Sequence, residues 1–424
     1  MSVSASVSLE TSENNQYAKY ILIIGAFFFI FGFVSWTNAT LIPYLRIACE
    51  LEEWQSYLVA SSFYIAYTVM ALPTGKLLQK TGMLKGISVG LYVMAIGCLM
   101  FVPAALTRSY LLFLVGLFVT GTGLTVLQTA VNPYITLLGP AESAARRISI
   151  MGICNKTAGI IAPLIMGSII LKNSDALIAQ LKQMNAGERS LRLNELAHDV
   201  IAPYCILAVI WIIVAILIRF AHLPEIKQEA SAEDLADAAI AKRSVRKNFI
   251  LGFTAIFFAV GVEVMAGDTI STYGMYHGLR LDVAKNLSSY TLACMMAGYL
   301  LGVVLIPRYV SQQRAFYVSS ILGLVISLLI IFVPGKTSIA FVAALGFANA
   351  MLWAAIWPQA LKGLTGKQLS TGSAVLIMGI AGGALLPPLF GWLSQAFNPQ
   401  SAYWILVPSY IYLIYYSILG KKDK

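Results

Sequence analysis

The sequence predicts an all-α membrane protein of twelve transmembrane helices, arranged in two pseudo-symmetric six-helix halves, and three features predict it. Of 424 residues, 58% are hydrophobic and 11% are charged, against roughly 25% charged in a soluble domain. The apolar residues come in runs of about 20, the length at which a helix crosses the hydrocarbon core of a bilayer. Motifs in the first six runs return, in the same order, in the last six.

Hydropathy and loop signals place the spans at 17–45, 55–79, 84–104, 109–138, 146–171, 201–222, 247–276, 287–307, 315–333, 338–362, 368–391 and 400–420. The first run, Tyr17 to about Pro43, is too long for a signal-peptide core and has no small-residue cleavage site, so it reads as a retained helix. Residues 1–16 form a polar tail. Residues 223–246 mix acidic and basic side chains near mid-chain and read as a linker between halves at 17–222 and 247–420. Residues 172–200 carry Glu188, Arg189, Arg192 and Glu195 at helical spacing and read as an amphipathic excursion outside the cell.

The net charge of +10 sits in short loops between apolar runs, which argues for membrane topology rather than a nucleic-acid partner. With an inner N-terminus, the inner loops hold the larger share of Lys and Arg, so both termini are expected in the cytoplasm. Cys49, Cys98, Cys154, Cys205 and Cys294 have no metal-ligand spacing and read as buried thiols. No metal or other cofactor is called for.

The repeat is explicit in the residues. FFIFGFVSWTNATL in span one matches FFAVGVEVMAGDTI in span seven, which aligns Gly32 with Gly261 and Ala39 with Asp268. Span four has Asn132-Pro133 where span ten has Trp357-Pro358, and IMGI occurs at both 150–153 and 377–380. Three matches in register point to a duplicated fold with parallel halves.

The motifs LQTAVNPYITLLGP at 127–140, VGVEVMAGDT at 260–269, RRISIMGICNK at 146–156 and TGSAVLIMGIAGG at 371–383 resemble the fucose:proton symporter family of the major facilitator superfamily. The resemblance runs from LIPYL at 41–45 to GALLPPLFG at 383–391. It implies the major facilitator fold, a location in the cell's inner (plasma) membrane and alternating-access uptake of a neutral sugar with a co-transported cation, proton before sodium. Fucose symporters carry an Asp in the first helix and a Glu before the Asn-Pro of the fourth. This chain has Asn38-Ala39 and Gln128 there, a form similar to the glucose/galactose and N-acetylglucosamine permeases. The resemblance therefore implies a hexose of the glucose/galactose type. N-acetylglucosamine or fucose transport, a passive facilitator and a membrane sugar sensor stay open as alternatives.

A charge at the centre of a membrane helix costs roughly 2.5–3.5 kcal/mol on the insertion scale, so each one needs a partner or a task. Three are clear. Glu263 and Asp268 lie five residues apart in span seven, about 140° around the helix, and Lys156 lies near mid-depth in span five. Glu263 and Asp268 are the cation-coupling candidates, with Glu263 expected to pair with Lys156. A sugar site needs amides for hydroxyl groups and an aromatic ring for the C–H face. Asn38, Gln128, Asn132, Asn155, Asn349 and Gln359 supply amides, Lys156 a cation, and Trp353 heads the rings, with Trp36, Trp357, Tyr64 and Tyr273 behind it. Gln128 and Asn132 stand one turn apart on one helix face.

An enzyme would need a nucleophile with its base, or a metal cluster. His198, His222 and His277 fall at span ends or in loops, and nothing assembles around them. The chain is expected to work as a monomer with the bilayer and a small sugar as its partners.

Overall fold

The computed structural model describes residues 20–137, 144–220, 243–306, 308–364 and 366–422. Twelve helices among them are long and apolar enough to cross a membrane. They are α1 Tyr20–Ala48, α2 Glu53–Leu78, α3 Met83–Leu106, α4 Tyr110–Leu137, α5 Ala144–Ile170, α6 Ile201–Leu217, α7 Arg243–Asp268, α8 Leu287–Leu305, α9 Gln312–Phe332, α10 Thr337–Leu361, α11 Thr371–Ala396 and α12 Pro399–Leu419. The expected tail, 1–16, and most of the expected linker, 223–242, lie outside the described residues. The last four linker residues do not form a loop: 243–246 are the first turn of α7.

Long apolar side chains point outward, as a lipid-facing surface requires. On α6, Ile206, Val209, Ile210, Ile213, Ile216 and Leu217 are all exposed. Polar side chains inside the spans turn back on their own helix. The hydroxyls of Thr120, Thr125, Ser320 and Ser327 each donate to the carbonyl four residues earlier, which satisfies them where no water is available. The cysteines are free, and only Cys98 is buried; the other four are half-buried, Cys49 in the turn after α1 and the rest on helices.

Helix contacts follow the repeat. Within the first six helices α4 packs on α2 and α3; within the last six α10 packs on α8 and α9. Between the two sets, α5 lies along α8 and α2 along α11, and each of these contacts is the image of the other under the repeat. The register is set by glycine. A Cβ on Gly32 of α1 would collide with the backbone of Asn155 on α5, and one on Gly382 of α11 would collide with Phe257 O on α7, where Gly261 lies against Gly382 O. Gly32 aligns with Gly261 and Asn155 with Gly382, so both sets close on the same two helix positions.

The 172–200 excursion is helical, as its charge spacing predicts. Its helices are Ser174–Leu181 and Ala186–His198, the second opened by a capping box between Asn185 and Glu188. Leu193, Leu196 and Ala197 are buried while Glu188, Arg189, Arg192 and Glu195 are exposed. The second helix is fastened to the first set: Tyr44 Oη donates to Leu196 O at 2.6 Å and Arg189 pairs with Glu50 at 2.9 Å. The first helix reaches the α7–α8 connection. Asp175 accepts from the backbone N–H groups of Leu281 and Asp282 at 2.9 and 3.2 Å, while Lys285 Nζ donates to Leu171 O at 2.7 Å. Because Tyr44 Oη is buried, Tyr44→Phe is expected to lower stability by about 1 kcal/mol. A thermal unfolding midpoint in detergent checks this.

Candidate functional site

Eight helices, α1, α2, α4, α5, α7, α8, α10 and α11, enclose a central cavity of about 120 Å³. That is room for several waters, or for a small ring that displaces them. Each helix presents one face. Phe28, Phe31 and Ser35 line it from α1, Tyr64 and Tyr67 from α2, and Ile148, Gly152, Asn155 and Lys156 from α5. These are the steps of three, four and seven that put side chains on one stripe of a helix. Val260, Glu263 and Val264 of α7 repeat the pattern, and Gln128, Tyr299, Trp353 and Ile380 complete the wall.

In its wall Lys156 Nζ lies 2.5 Å from Glu263 Oε1. The ammonium is nearly buried, at 5% side-chain exposure, whereas Glu263 keeps 17% on the cavity. Each charge offsets the other's loss of water, which neither could bear alone in hydrocarbon. Lys156 also stands 4.5 Å from the Trp36 ring centroid, a cation–π contact. Trp36 Nε1 donates to Asn155 Oδ1 at 3.4 Å, and Asn155 Nδ2 donates to Phe28 O at 3.3 Å. Gln128 Nε2 donates to Tyr67 Oη at 3.1 Å, leaving its carbonyl for a ligand. Tyr64 stacks on Tyr67, and Trp353 on Trp357.

Of the residues singled out in the sequence, Gln128, Asn155, Lys156, Trp353 and Glu263 come together on this wall, with Trp36 and Tyr64. Six do not reach it: Trp357 stacks behind Trp353, Tyr273 Oη bonds Ser338 Oγ at 2.7 Å, and the other four are polar. Asn38 is buried beyond the break of α1 at Thr37, and its Nδ2 has no partner among the described residues. Asn349 is a packing amide: it accepts from Tyr410 Oη at 2.6 Å and donates to Val262 O at 3.4 Å. Gln359 donates to Tyr416 O on α12 at 3.1 Å. An amide in a helix needs a partner, and a neighbouring backbone serves as well as a sugar; that is why amide chemistry alone overselected these residues. Asp268 is fully buried off the cavity, about 140° around the helix from Glu263, and neither of its carboxylate oxygens has a hydrogen-bond partner among the described residues. It does not open onto water at the end of its helix. The side chain of Asn132 lies outside those described.

Sequence reasoning missed Phe28, Phe31, Ser35, Tyr67 and Tyr299. The stripes 28–31–35 and 64–67 were readable as one face of each helix once Trp36 and Tyr64 were in hand. Tyr299 carried no such signal.

Residues 22–380 match the Major Facilitator Superfamily. The chain is 31% identical over 417 residues to a glucose/galactose transporter of Brucella abortus, covering 98% of this chain and 97% of that protein. It is 27% identical over 396 residues to the L-fucose-proton symporter of Escherichia coli, covering 92% and 90%. The crystal structure of the major facilitator transporter FucP in the outward conformation superposes with a TM-score of 0.75 at 26% identity, over 95% of this chain and 99% of that one.

Proposed function

Because the chain belongs to the major facilitator superfamily, in its fucose:proton symporter family, we propose that it takes up a neutral hexose of the glucose/galactose type together with a proton. Members of this superfamily are transporters, not enzymes, and the chain is a multi-pass membrane protein. The reading places it in the inner membrane as a functional monomer, both termini cytoplasmic and the 172–200 excursion outside.

The observation that carries it is the Lys156–Glu263 pair, formed between the two sets of helices inside a cavity lined by amides and rings. A proton on Glu263 removes the acid's charge and frees Lys156 to bond sugar hydroxyls. Proton and sugar then favour one state of the bundle, and each raises affinity for the other by the same factor. The supporting wall is divided by chemistry: Gln128 and Asn155 offer amides to hydroxyls, and Trp353 offers a ring to the C–H face. The absence of the fucose-type acids at Ala39 and Gln128 favours a hexose over fucose, as does the Brucella relative named for glucose and galactose.

Uptake of labelled hexoses into membrane vesicles, with and without a proton gradient, tests the reading. Accumulation above the outside concentration only under the gradient is the expected outcome; equal uptake without it overturns proton coupling. Gln128→Ala is expected to lower sugar affinity at least about tenfold, the effect of losing one well-placed hydrogen bond in a dry site, with the unfolding midpoint unchanged. Titration of the purified variant with sugar checks it.

A further inference from the structure

Trp36 has a position that sugar stacking does not explain. It stands at the excursion end of the cavity-lining face of α1, one residue before the helix breaks at Thr37. Its indole is 3% exposed and lies in a seat made by two glycines. Gly159 of α5 is one turn beyond Lys156, and a Cβ there would stand 2.6 Å from the indole Cδ1. Gly267 of α7 is one turn beyond Glu263, and a Cβ there would collide with the indole Cζ3. The two glycines belong to different helix sets, so the seat exists only while the sets are close at this end. Leu292 of α8 closes the side of the seat against Gly159.

We propose that Trp36 is the outer gate of the cavity, shut when its indole occupies the Gly159–Gly267 seat and open when α7 draws away and the indole is released. The proposal rests on the transport reading given above. It gives a large rigid side chain a task at a place where two helices give up their side chains to admit it. Seating is tied to the cavity wall, since the same indole carries Lys156 over its ring and donates to Asn155. A sugar that recruits Lys156 and Asn155 therefore acts on the gate without touching the outer surface.

The test measures access, not transport. In whole cells, with the five native cysteines replaced by serine, Ser35→Cys on the cavity wall is labelled by a membrane-impermeant maleimide added outside. Trp36→Leu is expected to raise the labelling rate about tenfold, the ceiling for an open state populated to about 10%. Gly267→Ala and Gly159→Ala are each expected to raise it in the Trp36 background, because the added methyl expels the indole. Neither should raise it further in the Trp36→Leu background, where the side chain is small enough to share the seat. Unchanged labelling in Trp36→Leu, or glycine effects that persist without Trp36, overturns the gate. If one alanine variant fails to fold, the other and Trp36→Leu still decide the matter. No sugar enters the assay, so a wrong substrate would show as failed uptake with labelling intact, and a wrong gate as failed labelling with uptake intact.

Discussion

Lys156→Met is expected to abolish both uphill sugar accumulation and the pH dependence of sugar affinity, while counterflow exchange persists. In the native protein the proposed mechanism makes sugar affinity rise as pH falls, because a proton on Glu263 would release Lys156 to the sugar. Without the ammonium there is nothing to release, and affinity becomes flat with pH. The variant also leaves Glu263 in the cavity wall without its 2.5 Å partner, a loss on the order of 3 kcal/mol for a nearly buried pair. Lys156→Met with Glu263→Gln is expected to recover that stability but not the accumulation, since it removes both charges together. Sugar titrations at several pH values, unfolding midpoints and vesicle uptake read the three effects separately. An affinity in Lys156→Met that still follows pH as in the native protein would sink the pairing mechanism.

The second large effect is expected at the acids. Glu263→Gln and Asp268→Asn should each bring the accumulation ratio to about one, the value for a carrier that only equilibrates its substrate. The reasons differ. Glu263 faces the cavity and is the proton site of the proposed mechanism. Asp268 is fully buried, with both oxygens unpartnered among the described residues, and a proton on it removes a charge whose burial is costly. Asp268→Asn keeps the shape and removes that cost, so the variant should be at least as stable as the native chain while losing coupling. Uphill accumulation at the native level in both variants would exclude both acids and point to a facilitator.

Much of this was legible in the sequence because the bilayer enforces simple rules. Length and apolarity mark a span, and a charge inside one must be paired, which is why Lys156 and Glu263 could be matched across more than a hundred residues. The alignment of Gly32 with Gly261 was visible as text, and its meaning as a helix contact needed coordinates. Amides were harder. Asn349 and Gln128 carry the same chemistry on equivalent cavity-forming helices, yet one bonds Tyr410 and the backbone and the other faces the cavity. A few tens of degrees of helix rotation decide between those fates, and no sequence period fixes rotation so finely. Residues 243–246 were misplaced because their charges read as linker, although a basic first turn can extend a helix past the apolar boundary.

The alignment of Asn132-Pro133 with Trp357-Pro358 has one more consequence. It sets Gln128 opposite Trp353 as equivalent positions of the two helix sets, and both line the cavity. A scaffold with near two-fold symmetry thus encloses a chamber with none: an amide on one side, an indole on the other. A hexopyranose has two unlike faces, so unlike walls would favour one orientation of the ring, where a two-fold chamber would accept two equivalent ones. Epimers that differ at a single carbon are then expected to meet different walls, and discrimination among them to follow from the orientation of the ring, without a separate contact for every hydroxyl.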